Sequence, residues 1–324
     1  MTTMPALPLP IGIRSRHVAG INGLVMHILE AGFDAGQRPV ILLLHGFPEL
    51  AYIWRKVMPL LADAGYHVVA PDQRGYGRTT GWDGDYDGDL ASYHMFNLVR
   101  DVLALVAALG VRQVHAVIGH DFGSPVAAWY ALIRPNVFDS AVLMSAPFGG
   151  APRWPVGSVG TTPSAIPNIH EQLAALARPR MHYQRFCSTP GPDADMRLCS
   201  QGLHDFLRAY YHVKSADWPR NAPHPLAALN GEELAKLPAY YVMEMGKGMA
   251  ETVALEMPSA RQIAQCAWLP EAELAVYVGE FGRTGFQGGL QWYRSVGNPG
   301  HLAQFLLFAG WKNRGPELLH RRCK

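Results

Sequence analysis

The sequence has few cysteines, no excess of charge of either sign and no long apolar run. Its four cysteines, Cys187, Cys199, Cys266 and Cys323, form no CxxC pair and show no zinc-like spacing with histidine. We therefore expect neither a disulfide framework nor a metal site. The 28 basic and 26 acidic residues nearly balance, which argues against a nucleic-acid-binding surface. No window of about 18 residues is apolar throughout, which excludes a membrane span.

The first residues, MTTMPALPLPIGIRSR, also lack the basic segment and the apolar run of a signal peptide. Together with the scarcity of cysteine, this predicts a cytoplasmic protein. What the chain does have is length and apolar content. Its 324 residues, 49% of them hydrophobic, are enough for one large domain or for a domain with an inserted lid.

Apolar runs alternate with helical patterns over residues 1–147. A hairpin is expected around Asn22-Gly23, because a two-residue turn there needs positive φ. Buried strands are expected in RPVILLLHGF, YHVVAPD, QVHAVIGHD and FDSAVLMSAP. The amphipathic run SYHMFNLVRDVLALVAALG predicts a helix that Ser92 caps and Gly110 ends. This alternation predicts an α/β fold with a mostly parallel sheet, whose ligands bind at the carboxyl ends of the strands.

The pattern changes after Pro147. The stretch FGGAPRWPVGSVGTTPSAIPN is rich in glycine and proline and indicates a linker. From His170 to about Gly297 a helical pattern with many aromatic residues follows, without a buried strand. We predict a core over residues 1–147, an inserted helical cap (the lid) over 148–297, and a return to the core over 298–324.

The stretch GHDFG, residues 119–123, follows a predicted strand and has the G-x-nucleophile-x-G form of a strand-to-helix elbow. Small residues flank the apex because the turn is tight. Asp121 stands at the apex, where hydrolases with this turn usually have serine. A plain helix N-cap would also explain an aspartate here, but it would not explain the glycines on both sides.

A second local motif is HGFPE, residues 45–49, after the most apolar strand. In acyl-transfer enzymes with this elbow, one oxyanion-hole N–H comes from this loop and one from the residue after the nucleophile. The matching donors are the backbone N–H groups of Phe47 and Phe122. Alone, the motif is equally typical of an ordinary turn that ends at a proline. Its place upstream of an elbow favours the hydrolase interpretation.

The stretches HGFPE, YHVVAPDQRGYGRT and GHDFG, in this order, resemble the epoxide hydrolases of the α/β-hydrolase fold. Two later stretches are more diagnostic. HYQRFCSTPG, residues 182–191, resembles the first lid segment that carries a tyrosine, and RTGFQGGLQWYR, residues 283–294, resembles the second. The resemblance covers roughly residues 17 to 295, which is most of the chain.

The resemblance implies hydrolysis of epoxides to vicinal diols through a covalent alkyl ester on Asp121, without a cofactor or a metal. A free aspartate is ionised at neutral pH, so it can attack a saturated carbon without a base. Ring opening creates an alkoxide, and the matching acids are the phenols of Tyr183 and Tyr293, which stay protonated at neutral pH. The positions expected to line the pocket for a small hydrophobic epoxide are His45, Pro48, Trp54, Gln184 and Trp292.

Other chemically capable residues are interpreted as structural. Asp72 and Arg74 are expected to fix the loop after their strand. Four other lid tyrosines are expected to pack in the lid with their hydroxyls towards its surface, and these are Tyr210, Tyr211, Tyr240 and Tyr241.

One part of the family pattern is missing from the sequence. Relatives supply a histidine base and an orienting carboxylate from two further strands after the lid, but residues 298–324 show neither strand. His301 and His320 remain, and no pattern places either of them near Asp121. We therefore expect the C-terminal strands to be missing and the hydrolytic half-reaction to be impaired.

The tail itself suggests a cause. For one permitted codon choice, a shifted frame of residues 311–324 reads Gly-Arg-Thr-Glu-Val-Pro-Ser-Phe-Phe-Ile-Ala-Gly-Ala, which is typical of a buried strand. We hypothesise that this end is frame-shifted. Reading the codons after Gly310 tests the hypothesis, because a strand in neither alternative frame would refute it.

Two other functions would use the same residues. A haloalkane or haloacid dehalogenase has the same aspartate chemistry, but it usually has an indole N–H just after the nucleophile, where this chain has Phe122. Paired lid tyrosines also suit an alkoxide better than a halide. A hydrolase fold that has lost its activity and binds a small hydrophobic ligand would agree with the missing histidine. Halide release would favour the first, and binding without a covalent change in Asp121 the second.

Overall fold

The computed structural model describes residues 4–34, 36–154 and 168–312 and the strand 317–320. Its strands are β1 (Ile13–Ile21), β2 (Leu24–Ala31), β3 (Val40–Leu44), β4 (His67–Pro71), β5 (Val114–His120), β6 (Ala141–Met144), β7 (Arg180–His182), β8 (Val242–Glu244) and β9 (Glu317–His320). Its α-helices are α1 (Met58–Asp63), α2 (Met95–Ala108), α3 (Gly123–Ile133), α4 (Ile169–Ala174), α5 (Tyr183–Cys187), α6 (Pro192–Arg197), α7 (Gly202–Val213), α8 (Gly231–Leu234), α9 (Met249–Ala254), α10 (Ala260–Gln265), α11 (Glu271–Thr284), α12 (Gln287–Val296) and α13 (Pro299–Gln304). Short 3₁₀ helices cover Ala51–Lys56, Leu90–Tyr93 and Phe305–Phe308.

The described residues divide into two compact units. The first holds the described residues up to 154 and those from 295 onward, and the second holds residues 168–294. The domain limits given above, 1–147, 148–297 and 298–324, stay a prediction. None of the helices in the described ranges combines the length and the apolarity that crossing a bilayer requires.

The first unit is built on a sheet with the strand order β1-β2-β4-β3-β5-β6-β9. Strand β2 pairs antiparallel with β1 and with β4, and the other neighbours are parallel. Strand β3, the run VILLL, is buried at every position and lies between β4 and β5. A strand covered on both faces is expected to be apolar throughout. The predicted α/β-hydrolase fold with a mostly parallel sheet is thus confirmed.

Two local predictions in the first unit had different outcomes. The hairpin between β1 and β2 turns at Asn22 and Gly23, with φ of 49° and 84°, as expected. Helix α2, however, begins at Met95, and the Nδ1 atom of His94 accepts the hydrogen bond from the backbone N–H of Phe96 at 3.2 Å. Ser92 lies in the preceding 3₁₀ turn, so the prediction that it caps α2 is wrong.

The C-terminal strand corrects the prediction that both strands after the lid are missing. Strand β9 pairs in parallel with β6, in a register that joins Ala141 to Glu317 and Met144 to His320. A four-residue strand with two apolar residues at its centre is too short to show a period in the sequence. The side chains of residues 317–320 lie outside the described part of the chain, and the frame-shift hypothesis stays a prediction.

The second unit is mainly helical, and it also contains a small antiparallel sheet. Strands β7 and β8 pair in a register that joins Arg180 to Glu244 and His182 to Val242. Val242 and Met243 are 1% and 0% exposed, so the prediction that this region has no buried strand is wrong. Three-residue strands carry too little periodicity to be recognised from the sequence.

Candidate active site

The turn between β5 and α3 holds Asp121 in a strained conformation. Its φ is +53°, in the left-handed region that residues with a side chain rarely adopt. The backbone N–H of Asp121 donates to the carbonyl of Met144 at 3.0 Å, and its carbonyl accepts from the N–H of Ser124 at 3.0 Å. A strained turn with fixed hydrogen bonds at the end of a parallel strand is the geometry of a nucleophile elbow.

The glycines around the elbow are required by close contacts between backbones. A Cβ atom on Gly119 would lie 2.1 Å from the carbonyl oxygen of Gly123, and one on Gly123 would lie 2.3 Å from that of Leu44. A Cβ on Gly46 would lie 2.4 Å from the Cβ of Asp121. Such contacts cannot be relieved by rotating a side chain, because backbone atoms form most of them. The elbow therefore depends on glycine at these positions.

Asp121 is not a plain helix cap. Phe122 occupies the N-cap position of α3, and no side chain caps that helix. The Asp121 carboxylate instead accepts a hydrogen bond from the backbone N–H of Phe47, with 3.0 Å between the nitrogen and Oδ1. The loop HGFPE thus contacts the elbow, as its place in the sequence predicted. Asp121 and Phe122 are partly exposed, whereas Phe47 and Pro48 are buried.

His45 lies beneath this loop, and both of its ring nitrogens have partners. Nδ1 donates to the carbonyl of Gly46 at 2.9 Å, and Nε2 accepts from the backbone N–H of Gln73 at 3.1 Å. The side chain of Gln73 in turn donates to the carbonyl of His45 at 2.6 Å. Burial lowers the pKa of His45, which favours the neutral ring that this hydrogen-bond pattern requires. The ring therefore fixes the loop that carries Phe47.

Trp54 lies in the hydrophobic core of the first unit. Its side chain is 5% exposed and belongs to a cluster that includes Leu29, Ile41 and Leu43. These surroundings are those of a packing residue. The role of Trp54 and of the other residues expected to line a pocket stays a prediction.

In the second unit, the two tyrosines expected to act as acids lie together. The rings of Tyr183 and Tyr293 are 5.9 Å apart, centroid to centroid, with an angle of 80° between their planes. Tyr183 begins α5, and its backbone N–H donates to the carbonyl of Tyr241 at 2.8 Å. The side-chain amide of Gln184 lies 3.5 Å from the Tyr183 hydroxyl. Trp292 is buried beside Tyr293 in α12.

A lysine that the sequence analysis did not single out lies among the lid tyrosines. The Nζ atom of Lys214 is 4.7 Å from the ring centroid of Tyr210, 5.4 Å from that of Tyr240 and 5.7 Å from that of Tyr241. It is also 5.9 Å from the ring of Tyr183. These distances are within the range of cation–π contacts, which hold the rings around one charge. Three of the tyrosines expected to pack in the lid thus share this lysine with Tyr183.

Asp193 fixes the turn that leads into α12. Its Oδ1 accepts from the backbone N–H of Phe286 at 2.5 Å, and Arg197 lies 3.3 Å from its Oδ2. Gly285 has a φ of +66°, and a Cβ there would lie 2.5 Å from the same Oδ1. This clamp sets where the helix that carries Tyr293 begins. No motif in the sequence points to Asp193.

The histidines at the end of the chain are placed only in part. His301 Nδ1 lies 2.9 Å from Ser295 Oγ, and its ring is 4.8 Å from that of His94 in a perpendicular arrangement. The side chain of His320 lies outside the described residues. Within the described ranges, no group of three or more histidine, cysteine, aspartate or glutamate side chains could hold a metal ion.

Comparisons with known proteins agree with the fold described above. A family model for the α/β-hydrolase fold matches residues 39–186. Epoxide hydrolase B of Mycobacterium tuberculosis is 34% identical over 286 residues, which cover 88% of this chain and 77% of that protein. Epoxide hydrolase A of the same organism is 31% identical, over 88% of this chain and 75% of that protein.

Solved structures of epoxide hydrolases are similar to this chain in fold and in sequence. An epoxide hydrolase from an endophytic Streptomyces superposes with a TM-score of 0.71 and 31% identity, covering 96% of this chain and 80% of that one. Epoxide hydrolase A from Mycobacterium thermoresistibile superposes with a TM-score of 0.71 and 29% identity, covering 95% of this chain and 82% of that one.

Proposed function

Because this chain belongs to the epoxide hydrolases of the α/β-hydrolase fold, we propose that it converts small hydrophobic epoxides to vicinal diols through an ester on Asp121. The observation that carries the proposal is the strained elbow, which presents a carboxylate where a hydroxyl would need a base. An ionised carboxylate is suited to displacement at a saturated carbon and needs no base.

The first half-reaction uses Asp121 and the phenols. The backbone N–H of Phe47 binds Oδ1, so Oδ2 is the oxygen that we expect to attack the epoxide carbon. As the bond between Oδ2 and carbon forms, the bond between carbon and the ring oxygen breaks. That oxygen takes a proton from Tyr183 or Tyr293. The 5.9 Å between their rings supports a joint action of the two phenols on one oxygen.

The second half-reaction is the attack of water on the ester carbonyl. The backbone N–H groups of Phe47 and Phe122 are the donors that we assign to the negative oxygen of the tetrahedral intermediate. Among the described residues we assign no histidine to the activation of this water, because His45 uses both ring nitrogens in its loop and His301 lies beside Ser295 and His94. Impaired hydrolysis therefore stays part of the proposal, with the ester as the species that accumulates.

The test is ester and diol formation from an aryl epoxide by the wild type and by single tyrosine variants. Tyr183→Phe and Tyr293→Phe should each slow ester formation by about 10²-fold or more, because each removes a proton donor. Tyr277→Phe is the matched control, since Tyr277 lies in α11 with its ring 5.3 Å from that of Tyr211. It should change the rate by less than about threefold.

A chloroalkane is incubated in parallel. Chloride release, with neither ester nor diol formed from the epoxide, would replace the proposal by the dehalogenase alternative. Equal rates in all three tyrosine variants would remove the proposed role of the lid phenols and leave that of Asp121 to its own test.

A further inference from the structure

A serine, a histidine and an aspartate form a series of hydrogen bonds at the edge of the main sheet. Ser15 Oγ is 2.8 Å from His27 Nε2, and His27 Nδ1 is 2.7 Å from Asp72 Oδ2. The register pairs His17 of β1 with His27 of β2, so Ser15 lies diagonally across from His27 on the same face. Asp72 follows β4, the next strand of the sheet. Three strands thus bring the three residues together.

The state of Asp72 fixes which atom donates and which accepts in each of these hydrogen bonds. Burial alone would raise the pKa of Asp72, but the charge and hydrogen bond of His27, the charge of His45 and the backbone N–H of Arg78 lower it to about 2. Asp72 is therefore ionised at neutral pH and can only accept hydrogen bonds. In the tautomer that donates from Nδ1 to Asp72, Nε2 of His27 accepts from the hydroxyl of Ser15.

Further contacts hold the base in place and leave the serine accessible. Asp72 Oδ1 accepts from the backbone N–H of Ala51 at 2.8 Å, and the backbone N–H of His27 donates to Thr79 Oγ1 at 2.9 Å. His27 is 1% and Asp72 is 3% exposed, whereas Ser15 is exposed on the edge strand β1. A shielded base with an orienting carboxylate and an accessible hydroxyl is the arrangement that activates serine.

We propose that Ser15, His27 and Asp72 form a second nucleophilic site, which reacts with small activated esters of carboxylic and phosphoric acids. Ser15 Oγ bonds to the acyl carbon or the phosphorus, His27 Nε2 takes the hydroxyl proton, and the leaving group departs with the bonding electron pair. The leaving group takes up that proton, so Nε2 is bare again. Water then attacks the acyl-serine while Nε2 takes one of its protons, and this proton passes to the serine oxygen as the acid is released.

The exposure of Ser15 sets the substrate class. On an open strand, water rather than the protein solvates the negative oxygen that develops during attack, so the site gains little from an oxyanion hole. Reaction is therefore confined to esters with a good leaving group, such as aryl esters and phosphoryl fluorides. The site shares no residue with the elbow or the lid phenols, so the proposal does not depend on the epoxide reaction.

The probe is diisopropyl fluorophosphate, applied to the folded full chain and followed by peptide mapping over time. Ser15 should be labelled at least about 10²-fold faster than Ser259, which is the contribution expected of a general base. Ser259 is the matched control, because it is exposed and its hydroxyl donates at the same 2.8 Å to Gln262 Oε1, which is not a base. Equal labelling of the two serines would overturn the proposal and make His27 a purely structural residue.

A second pair of measurements guards against misfolding and against effects of local sequence. Ser15→Ala should abolish this adduct and leave Ser259 labelling unchanged, and it removes only an exposed hydroxyl. In the wild type unfolded in urea, the probe should label Ser15 and Ser259 at the same rate, because the hydrogen bonds that join Ser15 to His27 and Asp72 are then absent. If Ser15 were labelled faster than Ser259 in urea, its reactivity would not come from the hydrogen bonds of the folded protein.

Discussion

Asp72 and Asp121 both follow parallel strands of the same sheet, but the structure surrounds them differently. Asp72 is buried, and its carboxylate binds His27 and the backbone N–H groups of Ala51 and Arg78. Asp121 is partly exposed on a strained turn, where the N–H of Phe47 binds one carboxylate oxygen. A carboxylate with partners on both oxygens supports the fold. One on a partly exposed, strained turn, with a backbone N–H on one oxygen, has the surroundings that we expect of a nucleophile.

The comparison shows that the backbone, rather than the residue type, separates the surroundings of the two carboxylates. Gly77 lets the loop approach Asp72 so closely that a Cβ there would lie 2.3 Å from Oδ2. At the elbow, Gly46 and Gly123 let the backbone pass close to Asp121 and to β3. In the first case the close approach surrounds the carboxylate with donors, and in the second it holds the side chain outward.

Replacing Asp121 should have the largest effect on activity. Asp121→Asn keeps an oxygen for the N–H of Phe47 but removes the proposed nucleophile, so epoxide turnover should fall by about 10⁴-fold or more. The free energy of unfolding should change by less than about 1 kcal/mol. Turnover assays and urea unfolding check the two parts. An active Asp121→Asn variant would show that Asp121 is not the nucleophile and would remove the functional difference between Asp121 and Asp72.

Replacing Asp72 should have the largest effect on stability. Asp72→Asn removes a buried charged acceptor that binds His27 and the backbone N–H groups of Ala51 and Arg78, which should cost about 3 kcal/mol of unfolding free energy. Urea unfolding of this variant beside Asp121→Asn measures the difference directly. Similar losses in the two variants would show that the two carboxylates contribute equally to the fold.

Adding one methyl group at the elbow should have an intermediate effect. Gly123→Ala places a Cβ 2.3 Å from the carbonyl oxygen of Leu44, so we expect a loss of about 1–3 kcal/mol of unfolding free energy. The matched control is Gly279→Ala in α11, where a Cβ would meet nothing within 4 Å and helix propensity favours alanine. Thermal unfolding of both variants distinguishes steric contact from a general effect of glycine. A Gly123→Ala variant as stable as the control would refute the requirement for glycine.

The smallest expected effect is a pH dependence of stability. The pKa of Asp72 is lowered from 3.8 to about 2 in the folded chain, so its contribution is present above the unfolded pKa and is lost as the pH falls through the folded pKa. The advantage of the wild type over Asp72→Asn should therefore shrink by about 2 kcal/mol between about pH 5 and pH 2. Urea unfolding across this range checks it. A difference that stays constant with pH would contradict the assigned partners of Asp72.

The features predicted correctly from the sequence have local patterns. The glycines around Asp121, the Asn22-Gly23 turn and the apolar strand β3 each lie within a few consecutive residues. The resemblance to a known family added Tyr183 and Tyr293, and the structure brings their rings together.

The features that the sequence analysis missed depend on contacts between distant parts of the chain. Asp193 binds a backbone N–H that lies 93 residues away, and Asp72 binds a histidine 45 residues before it. Lys214 is recognisable only once the lid tyrosines surround it. The short strands β7, β8 and β9 form because a partner strand lies beside them, and periodicity cannot show this.

The most direct test of the central claim is one incubation of excess enzyme with an aryl epoxide in H₂¹⁸O, followed by mass analysis of the peptide that contains Asp121. We predict that this peptide carries the alkyl ester or, after hydrolysis, one ¹⁸O in the carboxylate, while any diol formed in the first turnover lacks ¹⁸O. A diol that contains ¹⁸O, together with an unmodified Asp121 peptide, would show direct attack by water and contradict the account.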